Sequence, residues 1–147
     1  MVDWKYIARE KLKDYPARVA SIESIPIEME RLSAEITSIR SSMSNSGAVK
    51  GGGGTRDDQI VTNLALREEL ARNLKQTKKA VALVDNALSV LDSEERRMIN
   101  LMYIYRSKGN AERLRQEFGL EDVSSVYRRS EKALRHFTVA MFGLTDS

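Results

Sequence analysis

LDSEERRMINLMYIYRSKGNAERLRQEFGLEDVSSVYRRSEKALRHF, residues 91–137, reads as three helices set apart by glycines and capping residues. Asp92 or Ser93 can cap the first, with Glu94 and Glu95 in a first turn where the helix dipole favours acids. Met98, Ile99, Leu101, Met102 and Tyr105 then form a wide apolar face suited to a globular core. Gly109 is expected to stop this helix. Asn110 is expected to cap a short helix, AERLRQEF, whose Leu114 and Phe118 point inward and which Gly119 ends. Asp122 caps a last helix running to about Phe142, with Val126, Ala133, Leu134, Phe137 and Met141 as its buried side.

Upstream, the periodicity changes from a broad face to a narrow seam. Trp4, Ile7, Ala8, Leu12 and Tyr15 step by three and four along a short helix that Pro16 is expected to break or restart. Ile22, Ile25, Met29, Leu32, Ile36, Ile39 and Met43 continue that spacing as a coiled-coil-like seam. Pro26 falls inside it, so the continuous helix is expected to start near Ser24 with Pro26 in its first turn, or to join the first helix through a kink. Leu70, Leu74, Thr77, Val81, Val84, Leu88 and Leu91 make a second seam on a helix spanning about residues 57–91. A stripe this long must be buried, either in an antiparallel hairpin or against another copy of the chain.

Between the seams, SSMSNSGAVKGGGGTRDD, residues 41–58, has almost nothing to pack, and a flexible glycine-rich linker is expected at 43–56. A phosphate-cradling loop is the sharper alternative. That motif needs Lys and Ser/Thr after the last glycine of a strand-to-helix turn, whereas Lys50 precedes the glycines and no strand precedes Lys50. The expected fold is therefore all-α: a long N-terminal helical hairpin, coiled-coil-like, over 1–91, followed by a small C-terminal helix-turn-helix domain over 92–143.

The chain has 147 residues, room for one ordinary domain or a small domain with an extended helical element. It has no cysteine, which removes disulfides, thiolate zinc sites and a cysteine nucleophile and fits a reducing cytoplasm. No uninterrupted apolar stretch suggests a signal peptide or a bilayer span, so no membrane partner is expected. The net charge of +3 is a mild excess that decides nothing alone. His136, the sole histidine, has no acidic or cysteine partner at ligand spacing, so no metal is expected, and no paired carboxylates mark a cleft. We read no enzyme, no catalytic residues and no cofactor.

A short helix, a glycine turn and a capped longer helix with basic residues is the layout of a helix-turn-helix unit. In such units the second helix offers its first turns to the major groove, and basic residues further on reach phosphates. Val123, Ser124, Ser125, Tyr127 and Arg128 occupy the early positions; Arg129, Lys132 and Arg135 follow as phosphate-binding candidates. Arg128 is the natural guanine reader, because its guanidinium can bond O6 and N7 together. A merely solvated amphipathic helix would carry the same stripe, with Glu131 as a counter-charge.

Residues 91–137 resemble the region-4 domain of bacterial sigma-70-type factors, through the opening leucine and E-R helix, the capped short helix, the glycine turn and the V-Y-R…K-A-L ending. With its helical N-terminal half and the MFG near its end, most of the chain is similar in layout to small phage-encoded transcriptional regulators of the ArpU/RinA type. The resemblance implies a core of Leu114, Phe118, Leu120 and Val126, a groove-facing set of Val123, Ser124, Tyr127 and Arg128, and double-stranded DNA as partner. It also implies late-gene activation in the cytoplasm of a bacterial host, with RNA polymerase contacted, or homodimers formed, through the N-terminal helices. Two positions depart from the sigma pattern: Arg115 stands where such motifs hold Ala or Gly, and the segment from Gly119 to Val126 is one residue longer. Nothing resembles the polymerase-binding or promoter-melting regions of a full sigma factor. Rival readings are an oligomeric DNA-packaging protein of the small-terminase kind and an adaptor that binds polymerase without DNA.

Overall fold

The computed structural model describes residues 1–45 and 53–144, and among them every regular element is a helix. The order is α1 (Trp4–Asn45), α2 (Gly53–Ser89), α3 (Ser93–Ile99) continued by a π-helical segment (Asn100–Ile104), α4 (Asn110–Glu117) and α5 (Val123–Phe142). Of the expected linker at 43–56, residues 46–52 lie outside the described residues; the backbone is helical up to Asn45 and again from Gly53.

α1 corrects the expected break at Pro16 and the expected start near Ser24, for it runs through both prolines over 42 residues. Pro16 and Pro26 cannot donate to the carbonyls of Leu12 and Ile22, and a proline inside a helix costs roughly 3 kcal/mol relative to alanine. Burial on either side offsets that cost. Ala8 and Leu12 are fully buried before Pro16, and Leu32 and Ile36 are buried beyond Pro26. A large aliphatic side chain contributes about 1.5–3 kcal/mol when fully buried.

The chain divides into two compact units, residues 1–18 with 79–147 and residues 19–78. This division does not coincide with a boundary at Leu91. In the second unit, segments of α1 and α2 pair within the chain. Leu32 and Ile36 are buried, Ile22, Ile25, Met29 and Ile39 half-buried, and Leu70, Leu74 and Thr77 of α2 half-buried at the expected spacing. The α2 seam reaches back further than its apolar residues announce. Asn63 is 2% exposed, and its Nδ2 donates to the carbonyl of Leu32 at 2.8 Å. Arg31 pairs with Glu28 and Glu35, and Arg72 with Glu69, along the outer faces, where such neighbours add only a few tenths of a kcal/mol each.

In the first unit, Ala8 and Leu12 of α1 and Val84, Ala87 and Leu91 join the core of the C-terminal helices. The Trp4 ring lies 5.0 Å from that of Phe142, Lys5 Nζ is 2.9 Å from a Glu131 oxygen, and the Tyr15 hydroxyl donates to Asp85. α3 begins with a capping box: Asp92 accepts from the Glu95 backbone at 2.8 Å while Glu95 accepts from the Asp92 backbone at 3.1 Å. Its apolar face departs from expectation at one residue. In the π-helical segment the Tyr105 N–H donates to the carbonyl of Asn100 at 2.8 Å, and the wider turn buries Ile104 to 7% exposure while leaving Tyr105 58% exposed.

Gly109 and Asn110 also exchange their expected tasks. The helix ends before Gly109, whose φ of +89° instead starts α4 from the left-handed region. Asn110 is the first residue of α4, and its Nδ2 donates backwards to the carbonyls of Leu101 and Tyr105 at 2.8 and 3.0 Å. It therefore satisfies the end of the preceding helix, where carbonyls lack intrahelical donors.

Candidate nucleic-acid interface

α4 and α5 are joined by a turn whose bonding follows from one glycine. Gly119 adopts φ +63°, its N–H donates to the carbonyl of Gln116 at 3.3 Å, and the N–H of Leu120 donates to that of Arg115 at 2.9 Å. This is a Schellman closure, which satisfies the last carbonyls of α4 and turns the chain sharply. Leu114 of α4 and Val126 of α5 are both fully buried in the shared core.

Arg115 fits because its side chain leaves the contact between the helices. Its guanidinium pairs with Glu112 at 2.7 Å and donates to the carbonyl of Leu120 at 3.2 Å, lying over the turn instead of inside it. Hydrogen bonds from Arg115, and then its charge, hold the Glu112 carboxyl below its usual range.

Asp122 opens α5 as expected, accepting from the backbone N–H and the hydroxyl of Ser125, each at 2.9 Å. Those two bonds, and then the nearby Arg128 charge, hold its carboxyl below its ordinary value. Arg128 in turn donates to the Ser125 hydroxyl at 3.0 Å. The cap is thereby extended into a chain of contacts from Asp122 through Ser125 to Arg128, which orients the guanidinium at the start of the helix.

The expected site residues do not share one face. Ser124, Arg128, Lys132 and Arg135, spaced four, four and three apart, lie exposed on a single side of α5. Lys132 and Arg135 have no ion-pair partner among the described residues. Val123 and Ser125 are half-buried, the latter committed to the cap. Tyr127, 57% exposed, lies to one flank, where it lines a groove of about 690 Å³ with Met102, Arg106 and Lys108. Arg129 lies to the other flank, its Nη1 2.6 Å from Glu94 Oε1.

On that second flank a groove of about 580 Å³ is lined by Glu94, Glu95, Met98, Arg129, Lys132 and His136. His136 Nδ1 is 2.9 Å from Glu95 Oε2, an acidic partner that sequence spacing did not offer. The flanking basic residues Arg106 and Lys108 were equally unannounced, although YRSKGN places two cations in a short segment before Gly109. Their relevance depends on the tertiary contact that brings this segment beside Tyr127.

Cations on one helical face, a rigidly capped start and an aromatic side chain at the flank can receive phosphates and present a planar donor to base edges. No helix among the described residues is long and apolar enough to cross a membrane. Compared with known protein families, with curated proteins and with solved structures, the chain matches none.

Proposed function

We propose that this chain binds double-stranded DNA through α4 and α5 and acts as a transcription regulator of the phage ArpU/RinA kind, activating late genes together with the host RNA polymerase. The observation that carries the reading is the placement of Ser124, Arg128, Lys132 and Arg135 on one exposed face of a helix whose entry is fixed by a tight glycine turn and an aspartate cap. α4 braces and α5 reads. Arg128, held at the first turns by Ser125, meets base edges, and Lys132 and Arg135, further along, meet phosphates. Arg106 and Lys108 widen the positive surface beside Tyr127.

The test is selection of bound duplexes from a random pool by the purified full chain, followed by anisotropy titration of the enriched sequence over a range of salt. Enrichment of one motif, with affinity falling steeply as salt rises, is the expected result. A chain that retains no duplex even at low salt is not a DNA-binding protein, and the reading is then lost.

A further inference from the structure

We infer that Glu94 withholds Arg129 from bound DNA, so that the start of α3 sets one edge of the contact surface; the inference rests on the DNA-binding reading above. Along one flank of α5, Arg129, Lys132 and His136 follow at intervals of three and four and line the same groove. The two ends of this row are held by α3: Arg129 Nη1 lies 2.6 Å from Glu94 Oε1, and His136 Nδ1 lies 2.9 Å from Glu95 Oε2. Lys132, between them, has no ion-pair partner among the described residues. Of the three cations the sequence offers to phosphates, Arg129, Lys132 and Arg135, one is therefore already engaged by a carboxylate.

The two acids differ in their duties. Glu95 is tied into the capping box through its other oxygen, which accepts from the Asp92 backbone at 3.1 Å. Glu94, among the described residues, has one hydrogen-bonding and ion-pair partner, Arg129. A carboxylate and a phosphate compete for the same guanidinium donors, and an approaching phosphate on this flank meets the negative charges of Glu94 and Glu95 as well. Bound DNA accordingly leans toward Arg128 and Arg135 and away from the α3 side, and Glu94 limits both affinity and the number of phosphates neutralised.

Anisotropy titrations of a mixed-sequence duplex at several salt concentrations test this with the full chain. Glu94→Gln, which keeps the shape of the side chain, is expected to tighten binding about threefold to tenfold at low salt and to steepen the log–log salt dependence by about 0.9, the value of one further phosphate contact. Arg129→Ala alone is expected to leave the salt slope unchanged. The double variant Glu94→Gln/Arg129→Ala is expected to lose the whole gain. Three outcomes overturn the inference: no gain from Glu94→Gln, a gain that survives in the double variant, or a full unit of slope lost by Arg129→Ala alone. Should Glu94→Gln fail to fold, the slope of Arg129→Ala still decides. A wild-type chain that binds no duplex removes the DNA reading itself, a different failure from wild-type binding that Glu94→Gln leaves unchanged.

Discussion

The side-chain amide of Asn110 donates to the main-chain oxygen of Leu101 at 2.8 Å, so the first residue of α4 closes the helix before it. An N-capping residue would accept hydrogen bonds, and aspartate would serve as well as asparagine. Here the side chain faces two carbonyls, those of Leu101 and Tyr105, and only a donor fits. Asn110→Ala should cost about 1–3 kcal/mol in urea unfolding, and Asn110→Asp should cost more, because a carboxylate would meet two carbonyl oxygens. Equal stability of Asn110→Asp and wild type would contradict this geometry.

The C-terminal helices share their core with residues distant in sequence. Leu12 is fully buried in the cluster that includes Leu114, Leu134 and Phe137, and Leu12→Ala should destabilise that unit by about 2–5 kcal/mol. A fragment covering residues 92–147 alone lacks Ala8, Leu12, Val84, Ala87 and Leu91. It should show broad, weakly cooperative thermal unfolding by circular dichroism, whereas a sharp transition matching the full chain would show the helix-turn-helix core to be self-sufficient.

Tyr15 gives the stability a signature at high pH. Its hydrogen bond to Asp85, then burial, then the Asp85 charge push its hydroxyl up from 10.0 to about 12. A group ionising later in the folded chain contributes stability that is complete below about pH 10 and is lost as pH rises toward 12. Tyr15→Phe should flatten the fall of melting temperature across that window, and tyrosinate absorbance should lose one of its late-ionising components. An unchanged alkaline limb would remove Tyr15 from the account.

Two substitutions on the same helical face should separate reading from holding. Arg128→Ala should relax base preference at one position, at a cost of about 1–3 kcal/mol for the preferred duplex, while Lys132→Ala should weaken all duplexes alike and reduce the salt slope by about one. Selection from a random pool with each variant measures both. Identical behaviour of the two variants would mean that Arg128 reads no base.

Light scattering of the full chain distinguishes a regulator from a packaging protein. A monomer or dimer is expected, and a ring of many subunits would favour packaging.

What could be read in advance follows the locality of the forces. The start of α3 at Asp92 or Ser93 and the aspartate at 122 were legible because the partners of both caps lie within four residues, and the structure settles the first on Asp92. Pro16 and Pro26 misled because a local penalty was weighed without the burial on both sides of it. Ile104 and Tyr105 exchanged places because the π-turn is a product of packing that carries no periodic mark. Ser130 and Thr138 are polar by type, yet each is almost fully buried, with its hydroxyl returned to a helix carbonyl, Tyr127 at 3.0 Å and Leu134 at 2.6 Å. At the candidate interface the aspartate cap and the glycine turn were visible in the order of residues, whereas the face shared by Ser124, Arg128, Lys132 and Arg135 was not the set the early positions offered. The partners of Arg129 and His136 were not visible either, since they lie 35 and 41 residues away.

Asn63 has a consequence for alignment that its bond to the Leu32 carbonyl does not advertise. Its Oδ1 is buried without a hydrogen-bond partner among the described residues, so the carboxamide costs the seam stability that an aliphatic side chain would supply. What it supplies is a preferred register. Sliding one helix past the other by a heptad would preserve most apolar pairings but carry Asn63 away from the Leu32 carbonyl and strand its amide as well. A repetitive stripe that could settle at several offsets is thus biased toward the one that keeps this bond, at a position that an aliphatic side chain would make more stable.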